Sequence, residues 1–199
     1  MLIITTTSIP GDYLFQLDVT DAGGVPVCPP SQVSVQVRSS ARLVVELVWT
    51  TPSDEDETDE FLGAGTDVDL HLIRAGGTWD DTSGGSDCSF RAPHPDWGSP
   101  TETDDNPSLD RDDSDGGGPE TITVLSPAIT FGPGMEYYDS PYQVGVYFFD
   151  DWTFGEVYAS LRVYLEGDPD PVAVWPSVLD DGGSHPDGRL FREAPAPEQ

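Results

Sequence analysis

Apolar residues in this chain recur at every second position, in short runs, and nowhere at the three-to-four spacing of a helix face. Tyr13, Phe15, Leu17 and Val19 recur at every second position, and Val33, Val35 and Val37, like Val68, Leu70 and Leu72, alternate with polar neighbours. Segments 43–49, 121–124, 142–149 and 157–165 are denser runs of the β-branched and aromatic residues that strands favour. Side chains on a strand point to opposite faces in turn, so each run offers one apolar face to a core. Turn signals such as Asp21-Ala22-Gly23-Gly24 separate the runs, and 21 Gly and 19 Pro supply many more. The chain is therefore predicted to be all-β. The expected architecture is a β-sandwich, immunoglobulin-like or jelly-roll-like, with long Asp/Gly-rich loops.

The first two strands are too few for a core of their own. Residues 1–39 are expected to form a strand pair, 40–168 the main sandwich, and 169–199 a Pro/Asp-rich tail with one short apolar run at 172–175. The acidic run 53–60 reads as a solvated, mobile loop. Residues 74–120 are rich in Gly, Asp, Ser and Pro, and so long a connection inside a domain is either functional or disordered.

The 199 residues carry 37 acids against 8 bases, a formal charge of -29, and every base is Arg. Nucleic-acid binding needs clustered cations, and an anionic membrane surface would repel the chain. Calcium and basic proteins are the natural partners; the plainer reading is that the charge keeps a surface protein soluble. No segment approaches the roughly 18 apolar residues of a membrane span, so no membrane insertion is expected. The N-terminus lacks the basic and apolar stretches of a signal peptide. With an extracellular or cell-surface location expected, the chain reads as a piece of a longer exported protein.

Cys28 and Cys88 lie in no C-x-x-C or His-rich setting. A Cys28–Cys88 disulfide is the expectation in an oxidising compartment, with two unpaired thiols as the alternative.

The densest chemistry lies in 104–120, Asp-Asp-Asn-Pro-Ser-Leu-Asp-Arg-Asp-Asp-Ser-Asp-Gly-Gly-Gly-Pro-Glu. Calcium takes six to eight hard oxygens, and glycines allow the bends around it. Asp110, Asp112, Asp113, Asp115 and Glu120 are candidate ligands. An EF-hand register set by Asp115-Gly116 would begin at Arg111, so this is not an EF-hand. The alternative is an acidic solvated loop. Asp67, Asp69 and His71 share one face of the strand opposite Val68, Leu70 and Leu72, and Asp69 is expected to point toward the 110–120 loop and join the calcium site. A lone His beside Asp is more often hydrogen-bonded than a zinc ligand. Asp150 and Asp151 either close a metal site or cap a turn. Trp79, Trp97, Trp152, Tyr137 and Tyr138 are candidate sugar-stacking platforms, although aromatics in β modules are more often core. No G-x-S-x-G, H-E-x-x-H or Walker loop is present, and no catalysis is expected.

Segments 45–52 (Val-Glu-Leu-Val-Trp-Thr-Thr-Pro), 66–72 (Thr-Asp-Val-Asp-Leu-His-Leu), 87–98, 105–120 and 142–151 together resemble an uncharacterised β module of large exported proteins of myxobacterial-type bacteria. Residues 10–21 and 33–37 resemble the last two strands of a PKD-type immunoglobulin-like repeat. The resemblance implies location and architecture more than activity. The expected function is a calcium-stabilised structural or adhesive module, partnered by calcium and by a cell-surface glycan or protein. The alternative is a carbohydrate-binding module.

Overall fold

In the computed structural model of the chain, residues 9–59, 61, 63–81, 85–114, 116–127, 142–179 and 189–193 are described, with 176–179 and 189–193 by backbone alone. Among the described residues there are strands and no helix. A hairpin of β1 (Gly11–Leu17) and β2 (Ser31–Val37) stands as its own two-stranded sheet. The rest forms a sandwich. Its five-stranded sheet has the order β10-β9-β3-β7-β6, built from β10 (Ala173–Leu179), β9 (Val157–Leu165), β3 (Leu43–Thr50), β7 (Glu120–Val124) and β6 (Pro107–Arg111). Its four-stranded sheet has the order β11-β8-β4-β5, built from β11 (Arg189–Glu193), β8 (Gln143–Asp150), β4 (Asp67–Ile73) and β5 (Asp87–Cys88). Every pairing is antiparallel.

Alternation decides what meets between the sheets. Leu43, Val45, Leu47 and Trp49 of β3 stand beside Leu165, Val163, Leu161 and Ala159 of β9. They pack against Val68, Leu70 and Leu72 of β4 and Val144, Val146 and Phe148 of β8 in one buried cluster. Burying a side chain of this size contributes about 1.5–3 kcal/mol. Trp97 and Tyr142 stack at 5.7 Å within the same core.

Three expectations are corrected. The segment expected to be a tail supplies β10 and β11, which extend both sheets. The expected disulfide is not formed: both cysteines are free. Cys28 lies exposed in the hairpin's loop, whereas Cys88 is buried in the sandwich core with its thiol toward the Pro93 carbonyl. Burial pushes the Cys88 thiol well up from its usual range.

The acidic run after β3 is also more ordered than a solvated bristle. Asp54, Glu57 and Asp59 are half-buried. The Glu57 carboxylate accepts from the Thr51 N–H, and Asp54 and Asp56 cap the turns that follow them. Gly116 packs against this run at φ +110; a Cβ there would lie 2.7 Å from the Glu57 carbonyl oxygen. Only glycine lets the two acidic loops lie together.

Candidate metal centre

The site begins with a short strand. β5 pairs only with Leu72 and Ile73, so the first half of β4 has β8 on one side and an open edge on the other. That edge presents an unladdered backbone donor, the Leu70 N–H, which must find an acceptor. Glu120 supplies it. On β7 the series Val124, Ile122, Glu120 faces the core, and Glu120 stands opposite Leu47 of β3. Its Oε2 accepts the Leu70 N–H at 2.6 Å, and its Oε1 accepts the Asp113 N–H at 3.3 Å. A carboxylate from one sheet thus binds the edge of the other.

Asp69 reaches the same place from the outer face of β4, and Asp112 from the loop after β6. A carboxylate oxygen of each of Asp69, Asp112 and Glu120 lies within 4.8 Å of the others, a group able to hold a metal ion. Asp69 is 5 % exposed and Glu120 1 %, while Asp112 is exposed and opens the group to solvent. Asp69 Oδ2 is buried with no hydrogen-bond partner.

The electrostatics are those of a site short of positive charge. Burial raises the Asp69 carboxyl to about 6; the Asp112 charge adds to the rise, and His71 opposes it. Burial holds Glu120 well above the usual carboxylate range, with the charges of Asp69 and Asp112 adding to it and the Leu70 N–H opposing. Asp112 is raised too, again chiefly by burial. Two like charges at this separation repel by roughly 3 kcal/mol at an effective dielectric of about 20. Protons or a cation would relieve this repulsion, and the group could hold a metal ion.

The other expected ligands lie elsewhere. Asp110 turns to the outer face of the five-stranded sheet, where its Oδ2 accepts from the Thr123 hydroxyl at 2.7 Å. The register slips between Leu109 and Arg111, and this irregularity separates the directions of Asp110 and Asp112. Asp113 pairs with Arg111 at 2.8 Å. Asp115, Tyr137 and Tyr138 lie outside the described residues. Asp150 and Asp151 cap the turn to Trp152 and Thr153 through its backbone N–H groups.

His71 is fully buried, with Nδ1 2.8 Å from Oδ2 of buried Asp87 and its ring stacked on Trp79 at 4.1 Å. Asp87 is a residue that sequence reasoning missed; it stands in no pattern, and only the pairing of β5 with β4 brings it to His71. Glu120, by contrast, was marked by its acidic neighbours; its place in the inward-facing series of β7 is what the structure adds.

No protein-family profile matches the chain, and no curated protein or solved structure matches it. Fold and site by themselves define an all-β sandwich with a buried acidic group, at the edge between its sheets, that could hold a metal ion.

Proposed function

We propose that the chain is a calcium-stabilised structural or adhesive module of an exported, cell-surface bacterial protein, with Asp69, Asp112 and Glu120 as the carboxylate ligands and no catalytic role. The observation that carries the reading is the convergence of these three carboxylates around the unpartnered Asp69 Oδ2. The donors are all hard oxygens, with no nitrogen or sulfur among them, which suits calcium rather than zinc. Calcium–oxygen bonds of 2.3–2.6 Å place opposed ligands about 5 Å apart, and a group spread within 4.8 Å fits around such an ion. The exposed side at Asp112 admits water as further ligands. Magnesium holds its water more tightly and demands a smaller octahedron.

The bound ion links β4 of one sheet to β7 and the β6–β7 loop of the other, closing the sandwich where β5 leaves β4 uncovered. The exported setting rests on the resemblance of the motifs and on the acidic, lysine-free composition.

Calorimetric titration of metal-stripped protein tests the reading. Calcium is expected to bind, with magnesium a poor substitute. Asp112→Asn should weaken calcium at least ~10-fold, since even partners outside the ligand shell cost 10–100-fold. Asp56→Asn should leave it unchanged, because the Asp56 side chain caps its own turn at Thr58. Absence of any calcium binding at millimolar concentration would refute the assignment.

A further inference from the structure

The outer face of the four-stranded sheet carries a group of aromatic and polar side chains beside Asp69 of the acidic edge. His71 of β4 stands opposite Gly145 of β8, and Asp69 opposite Tyr147. A Cβ on Gly145 would lie 1.9 Å from the Trp79 ring. Glycine at this position is what lets the indole lie flat on the sheet, stacked on His71 with 16° between the rings. Tyr147 meets Trp79 edge-on at 6.4 Å, and Phe149 meets Tyr147 and Phe90 edge-on at 6.3 and 6.4 Å. The result is a continuous aromatic row, and its outer member, Phe149, is 47 % exposed.

Polar groups are set into this row by a buried carboxylate. Asp87 Oδ2 accepts the Asp80 N–H at 2.6 Å as well as holding His71 Nδ1. Asp80 sits at φ 60, a left-handed conformation that costs a non-glycine residue energy and persists where the surroundings fix it. Its carboxylate pairs with Arg91 at 3.2 Å, and the Arg91 guanidinium lies over the Phe90 ring at 5.1 Å. His71 Nε2 is buried without a hydrogen-bond partner. His71, Trp79, Asp80, Phe90, Arg91 and Tyr147 together line a pocket of about 40 Å³.

We propose that this pocket binds one edge of a neutral pyranose sugar. A sugar ring offers an apolar C–H face for the aromatic row and hydroxyls that both donate and accept. Asp80 accepts from such hydroxyls and Arg91 donates to them. The volume admits a hydroxyl or hydroxymethyl group of a single ring, the rest of the sugar lying along Tyr147 and Phe149. An anion is disfavoured by Asp80 and by the net charge of -29, and a cation by Arg91 at the rim. A purely apolar ligand would leave the ion pair desolvated without new hydrogen bonds.

The test is a set of NMR titrations of ¹⁵N-labelled, calcium-loaded protein with the methyl glycosides of glucose, galactose, mannose and N-acetylglucosamine. At least one is expected to shift the Trp79 indole resonance saturably at millimolar concentration. Arg91→Ala, at an exposed position, should weaken that sugar by about tenfold, as loss of a charged hydrogen bond does, while keeping the wild-type melt. Trp79→Ala should abolish the response as read from the Tyr147 backbone amide, a second resonance of the same pocket. No shift with any of the four sugars overturns the proposal, as does a shift that Arg91→Ala leaves intact. If N-acetyl-lysine amide moves these resonances and no sugar does, the pocket is a cation cage and the proposal fails. Calcium binding measured on the same samples reports on the edge site.

Discussion

Replacing Asp69 by Asn separates an ion site from a merely structural cluster, because the two readings differ in the sign of the effect. In metal-free protein near neutral pH, Asp69 is held as an anion against a carboxyl raised from 3.8 to about 6, chiefly by burial. That difference corresponds to roughly 3 kcal/mol of cost for the ionised form. Asn keeps the shape, removes the charge and offers an amide to the neighbouring carboxylates. The metal-free variant is therefore expected to be more stable than the wild type by up to about 3 kcal/mol. At about 2–4 °C per kcal/mol for a chain of this size, the melt rises by at most about 6–12 °C. In calcium the order narrows or reverses, since the variant has lost a ligand and gains little from the ion. Thermal melts followed by circular dichroism, in chelator and in calcium, read both effects. A variant that melts below the wild type in chelator, or that keeps the full calcium response, would refute the reasoning.

The pH dependence of the metal-free protein follows from the same group. Asp69 binds its proton more tightly in the folded than in the unfolded chain, so stability is greatest below about pH 4 for this group and falls as pH rises through 6. Glu120 acts in the same direction. Urea midpoints should fall between mildly acidic and neutral pH in chelator, less steeply in Asp69→Asn, and a rise would contradict the account. Gly145→Ala forces the Trp79 ring off His71 and should cost about 1–3 kcal/mol as an overpacked site, with a changed tryptophan emission; an unchanged urea midpoint would count against the packing described. Cys28 should react with a thiol reagent in the native protein and Cys88 only after unfolding; mass spectrometry of native and denatured samples, labelled in sequence, distinguishes the two.

Strands were legible in the sequence because alternation is a local property. Val68, Leu70 and Leu72 are buried as their spacing requires, and so are Val157, Ala159, Leu161 and Val163 on the inward face of β9. Asp69 could be placed on the face opposite that trio, but not its burial, which depends on a loop more than forty positions away folding over it. The five candidate loop acids looked equivalent as a run. Alternation on β6 and the irregularity after Leu109 send Asp110 outward and leave Asp112 facing the edge, and no spacing rule resolves an irregularity in advance. Glu120 was marked as one acid of that run, and only the register of β7 against β3 turns it inward. The cysteines were misread because pairing is a question of distance across the fold, and one lies in the hairpin loop while the other lies in the core. Segment 173–179, with Pro176 among its residues, read as tail; as an edge strand it leaves one side unpaired, where proline is tolerated.

The central claim is that a calcium ion holds the two sheets together at Asp69, Asp112 and Glu120. Its most direct test is the thermal melt of metal-stripped wild-type protein in chelator and in millimolar calcium. An ion bound only by the folded state stabilises it by about 2.7 kcal/mol at a hundredfold excess over its dissociation constant. The melt should then rise by roughly 5–11 °C in calcium, at about 2–4 °C per kcal/mol. The same melting temperature in both conditions would contradict the claim.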